Sequence, residues 1–156
     1  MSCSFGSFTW LLPALPVFLL AACLGIIPSF GQEPKHADWP GYLGGKTRSL
    51  FSPLAQITRE NVGKLELAWT FDTGEKGEYQ ANNLIVDGVL YTPSQSRQVI
   101  ALDAATGRER WRWDPAKERA GKGSGRQRGL VFWQNPEGGE RRLFTGVGGW
   151  LFALDA

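Results

Sequence analysis

The sequence predicts an all-β fold built from repeated antiparallel sheets, and three observations carry that prediction. From Leu65 onward, apolar residues recur with a period of two in short runs rich in Val, Ile, Leu, Phe and Trp, the pattern of buried and half-buried strands. Turn residues separate those runs, leaving no room for helices between them. One segment also repeats: "LYTPSQSRQVIALDA" (90–104) aligns with "LFTGVGGWLFALDA" (143–156) with one deletion, so the two copies of "ALDA" stand 52 residues apart. A strand-filled repeat of this length is a blade of a β-propeller or a similar radial array. Such a blade is apolar on both faces and needs neighbours to cover them.

The chain of 156 residues is 42% hydrophobic, with seven Trp, twenty Gly and a formal charge of +2, a profile that excludes general disorder. Residues 1–31 carry no charged side chain. The run "FTWLLPALPVFLLAACLGII" is about long enough to span a bilayer. Pro13, Pro16 and Pro28, together with its N-terminal position, favour a cleaved export signal, with Ser29 and Gly31 as the small residues before a cut at Gln32. Leu20-Ala21-Ala22-Cys23 also matches a lipobox, which would leave an acylated Cys23. The absence of Lys or Arg ahead of the apolar run keeps a retained anchor open as a third reading. The expectation is therefore an exported, periplasmic protein, with membrane association through the anchor or through Cys23 as the variant.

Both cysteines, Cys3 and Cys23, fall in this segment, so the chain after Gly31 has no disulfide and no thiol ligand or nucleophile. The single histidine, His36, has no second His or Cys with which to build a zinc site and reads as a surface residue. Residues 32–64 form an N-terminal extension. Within it, "ITRENVGKL" (57–65) predicts one short helical turn capped by Thr58 and stopped by Gly63.

Residues 65–156 hold the predicted strands: "LELAWTF" (65–71), "NLIV" (83–86), "VLYT" (89–92), "VIALD" (99–103), "ERWRW" (109–113), "LVFW" (130–133), "RLFTG" (142–146) and "WLFALD" (150–155). Asp87-Gly88 is the strongest hairpin signal among the turns, since both residues accept positive φ. The one long connection, "PAKERAGKGSGRQR" (115–128), reads as a solvated loop because its charges alternate and its glycines are frequent.

Within "VIALDAATGRERWRW" (99–113) each residue type has a physical task. Ala101 is the small member of a large–small pair, and Asp103 can accept N–H groups from Thr106 or Gly107. Gly107 supplies the positive φ of the turn. Strict alternation in the following strand puts Glu109, Trp111 and Trp113 on one side and Arg108, Arg110 and Arg112 on the other. Trp111 is then free to lie on an adjacent blade, burying on the order of 200 Å². Nucleic-acid stacking by the alternating Arg and Trp is disfavoured by the near-neutral charge and the export signal. The glycines of "AGKGSG" match neither the phosphate-loop nor the dinucleotide spacing.

Ala-x-Asp-x-x-Thr-Gly-x-x-x-Trp, complete from Ala101 to Trp111, resembles the tryptophan-docking motif of quinoprotein dehydrogenases, which are eight-bladed propellers that use pyrroloquinoline quinone. "DWPGYLGG" (38–45), "FSPLAQITRENVGKLELAWTFDTG" (51–74), "YQANNLIVDGVLYTPS" (79–94) and "RGLVFW" (128–133) follow in that family's order. With no vicinal Cys pair before "RGL", the chain looks more like the glucose-dehydrogenase branch than the methanol-dehydrogenase branch. The resemblance implies that Arg128 contacts the quinone carboxylates, a role suited to a permanently charged planar fork. It also places Gln80 where many members carry a glutamate against the quinone; an amide there still hydrogen-bonds but carries no charge. Asn82 and Asn83 stand where small residues or proline are usual.

The implied cofactors of the full-length protein are pyrroloquinoline quinone and Ca²⁺. Its implied partners are a sugar or alcohol substrate and a quinone or cytochrome acceptor, with no nucleic acid. Catalytic and metal-binding residues are expected in later blades, so none is assigned here. Eight blades need about 400 residues, which makes this chain an expected fragment of about two blades, inactive alone. An incomplete propeller exposes a sheet edge and favours aggregation or docking onto another chain. The competing reading is a non-catalytic propeller scaffold or assembly lipoprotein sharing the blade repeat.

Overall fold

The computed structural model describes residues 37–118, 121 and 126–156, all inside one compact unit, Gln32–Ala156. Segment 1–31, with both cysteines, and His36 lie outside the described residues, as does part of the 115–128 loop. Among the described residues, no helix is long and apolar enough to cross a membrane.

Two antiparallel sheets follow one another along the chain. The first has four strands in sequence order, β1 (Leu84–Val86), β2 (Val89–Pro93), β3 (Val99–Asp103) and β4 (Glu109–Trp113). The second has three, β5 (Val131–Gln134), β6 (Arg141–Val147) and β7 (Trp150–Asp155). The internal repeat thus matches the β2–β3 hairpin to the β6–β7 hairpin, and its deletion falls in the connecting turns. Asp87 (φ 46°) and Gly88 (φ 71°) join β1 to β2 in a two-residue turn whose positive φ values match the twist of the paired strands. Gly148 and Gly149 do the same between β6 and β7.

The core sits between the two sheets. Leu84, Val86, Tyr91, Val99 and Ala101 meet Leu130 and Leu143, with Trp111, Trp113, Phe132, Leu154 and Ala156 packed around them. The Trp113 and Phe152 rings stand 4.9 Å apart across the same seam. Complete burial of a side chain such as Leu143 stabilises the pair by about 1.5–3 kcal/mol. Every residue of β3 up to Leu102 is buried, so this strand is covered on both faces. On the β1 side, Trp39 pairs with Ile85 through reciprocal backbone hydrogen bonds of 2.7 and 3.1 Å.

The structure departs from the sequence expectation at three points. Segment 65–71 joins no sheet, and the backbone of 66–71 makes no hydrogen bond to the rest of the described backbone. A strand needs a partner, and none of the described segments offers one. Gly63 does not stop the helical turn but lies inside it, at Val62–Lys64; the turn ends where Leu65 becomes extended (ψ 134°). Nor does Thr58 cap it: Asn61 precedes the turn and makes no side-chain cap bond, while the Thr58 hydroxyl accepts from the Glu60 N–H in the bend ahead of it.

Strict alternation in β4 fails at a bulge. Ala101 faces Trp111 and Leu102 faces Glu109, which skips Arg110. The extra residue shifts Glu109 onto the face of Arg112, with which it forms a 2.7 Å ion pair. Arg110 is released to pair with Asp103, also at 2.7 Å.

Trp111, expected to lie on an adjacent blade, faces Ala101 in its own sheet, 6.0 Å from the Tyr91 ring, and packs into the core shared with the second sheet. The ring lying over the Gly107 turn belongs to Trp69, whose indole N–H donates to the Ala104 carbonyl at 3.2 Å.

Asp103 organises the β3–β4 corner as its position suggests. Its carboxylate accepts from the Thr106 N–H (3.0 Å) and hydroxyl (2.9 Å), while Gly107 turns with φ 70°. The Arg110 guanidinium, then Thr106, hold this carboxyl down to about 2. Because the folded value lies below the ordinary 3.8, its stabilising contribution is complete above that value and is lost as pH falls toward 2. Asp103→Asn should accordingly lower the unfolding midpoint at about pH 6, with the gap to the parent closing as acid titrations approach pH 2. A gap independent of pH would contradict the ion pair.

Candidate functional site

The site is built where the two sheets begin. Just ahead of β1, Asn82 forms a parallel bridge with Gly129, just ahead of β5, the one described pairing that links the two blades edge to edge. The Asn82 N–H and side-chain amide both donate to the Arg128 carbonyl, at 3.0 and 2.7 Å. Gly129 adopts φ 152°, and a Cβ there would stand 3.2 Å from the Asn82 carbonyl oxygen, so the approach requires glycine.

This bridge answers what happens to the two residues singled out in the sequence. Gln80 lies two residues before Asn82 and Arg128 one residue before Gly129, so the structure brings both to the same end of the paired blades. Both are exposed. Neither side chain makes a hydrogen bond or ion pair to another described residue, which leaves the Arg128 fork free to receive an anionic group.

Sequence reasoning missed the polar frame around them. The Tyr79 hydroxyl joins Asn83 (2.6 Å) to Thr92 on β2 (2.5 Å). Gln127 donates to the Thr145 hydroxyl on β6 at 2.6 Å, while its own side-chain oxygen is buried without a partner. The Arg126–Glu78 pair spans the two segments at 2.5 Å, and that hydrogen bond raises the Arg126 guanidinium above its ordinary value. The two asparagines that break the family's usual pattern are thus ties: Asn82 pins the segment carrying Arg128, and Asn83 anchors Tyr79. Partners 46 residues apart leave no local signal for such a bond.

A second polar knot lies in the segment before this rim. Glu75 accepts from the Ser96 N–H and hydroxyl and from the Ser94 hydroxyl, tying residues 73–75 to the β2–β3 loop. Burial pushes its carboxyl up, but the Ser96 and Ser94 bonds and the charge of Arg112 outweigh that and hold it below its ordinary value. A shallow pocket of about 380 Å³, lined by Asp38, Ile85, Asp103 and Arg110 among others, lies at the turn end of the first sheet and includes neither Gln80 nor Arg128. Among the described residues no group of three or more His, Cys, Asp or Glu is gathered to hold a metal.

Two consecutive antiparallel sheets packed face to face, and joined at their leading strands, define blades of a β-propeller. A family model described as "Glucose/ethanol/alcohol dehydrogenase, beta-propeller domain" matches residues 39–156, and the chain belongs to this pyrroloquinoline quinone dehydrogenase family. It is 35% identical, over 92% of its length, to the quinohemoprotein alcohol dehydrogenase ADH IIB of Pseudomonas putida. It is 37% identical, again over 92%, to the dehydrogenase subunit of the quinone alcohol dehydrogenase of Gluconobacter oxydans. Half of it matches the quinoprotein glucose dehydrogenase of Escherichia coli at 38%. The chain covers 21% and 19% of the first two relatives, about a fifth of their length. The solved quinohemoprotein alcohol dehydrogenase ADHIIG of P. putida superposes on 76% of this chain and 17% of its own, with a TM-score of 0.64 and 32% identity. That of Comamonas testosteroni does so with a TM-score of 0.61, at 31% identity over 76% of this chain and 18% of its own.

Proposed function

We propose that this chain supplies one wall of the quinone site in an exported pyrroloquinoline quinone-dependent dehydrogenase that oxidises an alcohol or sugar and passes electrons to a quinone or cytochrome acceptor. The observation that carries the reading is the Asn82–Gly129 bridge. It brings Arg128, whose guanidinium has no partner among the described residues, to the same end of two blades of this family as Gln80. These residues fit the cofactor: a tricarboxylate needs charge-assisted donors, and Arg128 offers them in a planar fork. Gln80 adds an amide that can donate or accept. The bound quinone supplies a two-electron acceptor.

The chain's own residues orient and hold. Asn82 fixes the Arg128 backbone through two hydrogen bonds, Gly129 permits the close approach, and Tyr79 and Gln127 brace the flanking strands. Calcium, which the family resemblance also implies, finds no ligand set among the described residues and is assigned to none of them. The chain of about two blades is proposed to be inactive alone, and its leader to direct export.

The complete gene product, reconstituted with the quinone and Ca²⁺, should reduce an artificial dye when supplied with primary alcohols or aldoses. No reduction with any member of either class would defeat the reading.

A further inference from the structure

We infer that Arg97 and Gln127 hold one buried water between them in the seam of the two blades, and that this bridged pair positions Arg128. The second half rests on the function proposed above; the first does not.

Arg97 occupies a place that favours glycine. It closes the β2–β3 loop, where its N–H donates to the Ser94 carbonyl at 3.0 Å and its backbone takes φ 66°. An L-residue incurs a steric cost there that glycine avoids. What the arginine adds is reach: its guanidinium crosses to the second sheet and donates to the Gly146 carbonyl on β6 at 3.2 Å. Gln127 ends on the preceding residue of that strand, donating to the hydroxyl of Thr145, itself only 3% exposed, at 2.6 Å.

Each of the two side chains also buries one polar atom without a partner. Arg97 Nε can only donate and Gln127 Oε1 can only accept, and they are the two such side-chain atoms among the described residues. Left unmatched, a buried donor and a buried acceptor each destabilise the fold. A cation would suit the amide oxygen but not the guanidinium, and an anion the guanidinium but not the amide oxygen. A neutral group that accepts from one and donates to the other suits both, and two polar partners are enough to hold a buried water.

The position of the pair gives it a task. Leu84 pairs with Tyr91 and Pro93 with Val99, so the β2–β3 loop lies at the end of the first sheet where β1 begins. Continuing the β5–β6 register two residues beyond Val131–Phe144 sets Gly129 level with Gly146. The pair therefore sits at the same end as the Asn82–Gly129 bridge. Asn82 fixes the Arg128 carbonyl from the first blade, and Gln127, through Thr145, fixes the residue before it on the second. The Arg128 fork thus projects from a base held on both sides, which is what a binding side chain needs to meet its ligand in one geometry.

The test compares, in the complete protein, Arg97→Met and Gln127→Met, singly and together, by urea unfolding and by titration of the apoprotein with quinone. Each single variant leaves the other buried atom unmatched, whereas the double leaves neither. The midpoint of the double should therefore equal or exceed that of the lower single. Gln127→Glu should keep the parent midpoint where Arg97 is present and fall well below it in the Arg97→Met background, where a buried carboxylate lacks its cation. Both single Met variants should weaken quinone binding roughly 2- to 30-fold. A crystal structure of the complete protein should place one water about 2.7–3.2 Å from both atoms.

Additive midpoint losses, or an electron-density map with Arg97 Nε and Gln127 Oε1 partnered elsewhere, would overturn the bridged pair. Full quinone affinity in both Met variants, with Arg128→Ala weakened, would overturn the positioning role. Full affinity in all three would instead defeat the proposed function, and the midpoints, which need no quinone, would still decide the pair.

Discussion

Gly107→Ala should destabilise the unit by about 2–5 kcal/mol, the sum of a backbone cost and a packing cost. Gly107 holds φ 70°, where an L-residue costs roughly 1–2 kcal/mol. An added Cβ would also fall 2.5 Å from Trp69 Cε3 and 2.6 Å from its Cδ2. Real side chains do not approach so closely, so the indole must leave its seat, surrendering its hydrogen bond to Ala104 and its packing on the corner for about another 1–3 kcal/mol. Gly88→Ala separates the two costs. Gly88 has nearly the same φ, 71°, but nothing within 4 Å of its Cβ position, so it should lose only the backbone part. Urea unfolding followed by tryptophan fluorescence checks both. Equal shifts for the two variants would mean that Trp69 does not lie on Gly107.

Under the proposed function, Arg128→Ala in the complete protein should weaken quinone binding by roughly 10- to 100-fold, the loss of charge-assisted hydrogen bonds worth about 1.5–3 kcal/mol. Arg128→Lys should recover only part of that, because an ammonium keeps the charge but cannot offer two parallel donors. The loss should appear in equilibrium titration of the apoprotein with quinone, with unfolding midpoints unchanged. The reason is structural: the Arg128 carbonyl, not its side chain, makes the bridge to Asn82. Unchanged affinity in Arg128→Ala would remove this residue from the site.

The legibility of the fold in the sequence varied with the range of the interactions involved. β3, β4 and β7 match "VIALD", "ERWRW" and "WLFALD" residue for residue, since period-two burial and the flanking turns are written locally. The Asp87-Gly88 hairpin and the Asp103–Thr106 corner were equally readable, as their partners lie within a few residues. The strand expected at 65–71 was readable only as a propensity, because a ladder needs a second edge. The β4 bulge was hidden too: nothing in alternating Arg and Trp says which residue the ladder will skip. At the candidate site, Arg128 and Gln80 were reached by resemblance, while the Asn82–Arg128 and Gln127–Thr145 bonds span 46 and 18 residues and could not be.

The amino-acid sequence alone determined the blade repeat, the turns, the all-β class and the family, because each rests on residue types at fixed short spacings. Only the tertiary structure decided that Trp69 lies on the first "ALDA" corner. It alone decided that Arg110 leaves the ladder to meet Asp103, and that Gln80 and Arg128 share one end of two blades. Those outcomes depend on which strands pair across long stretches of chain, where backbone hydrogen bonding and burial are settled together.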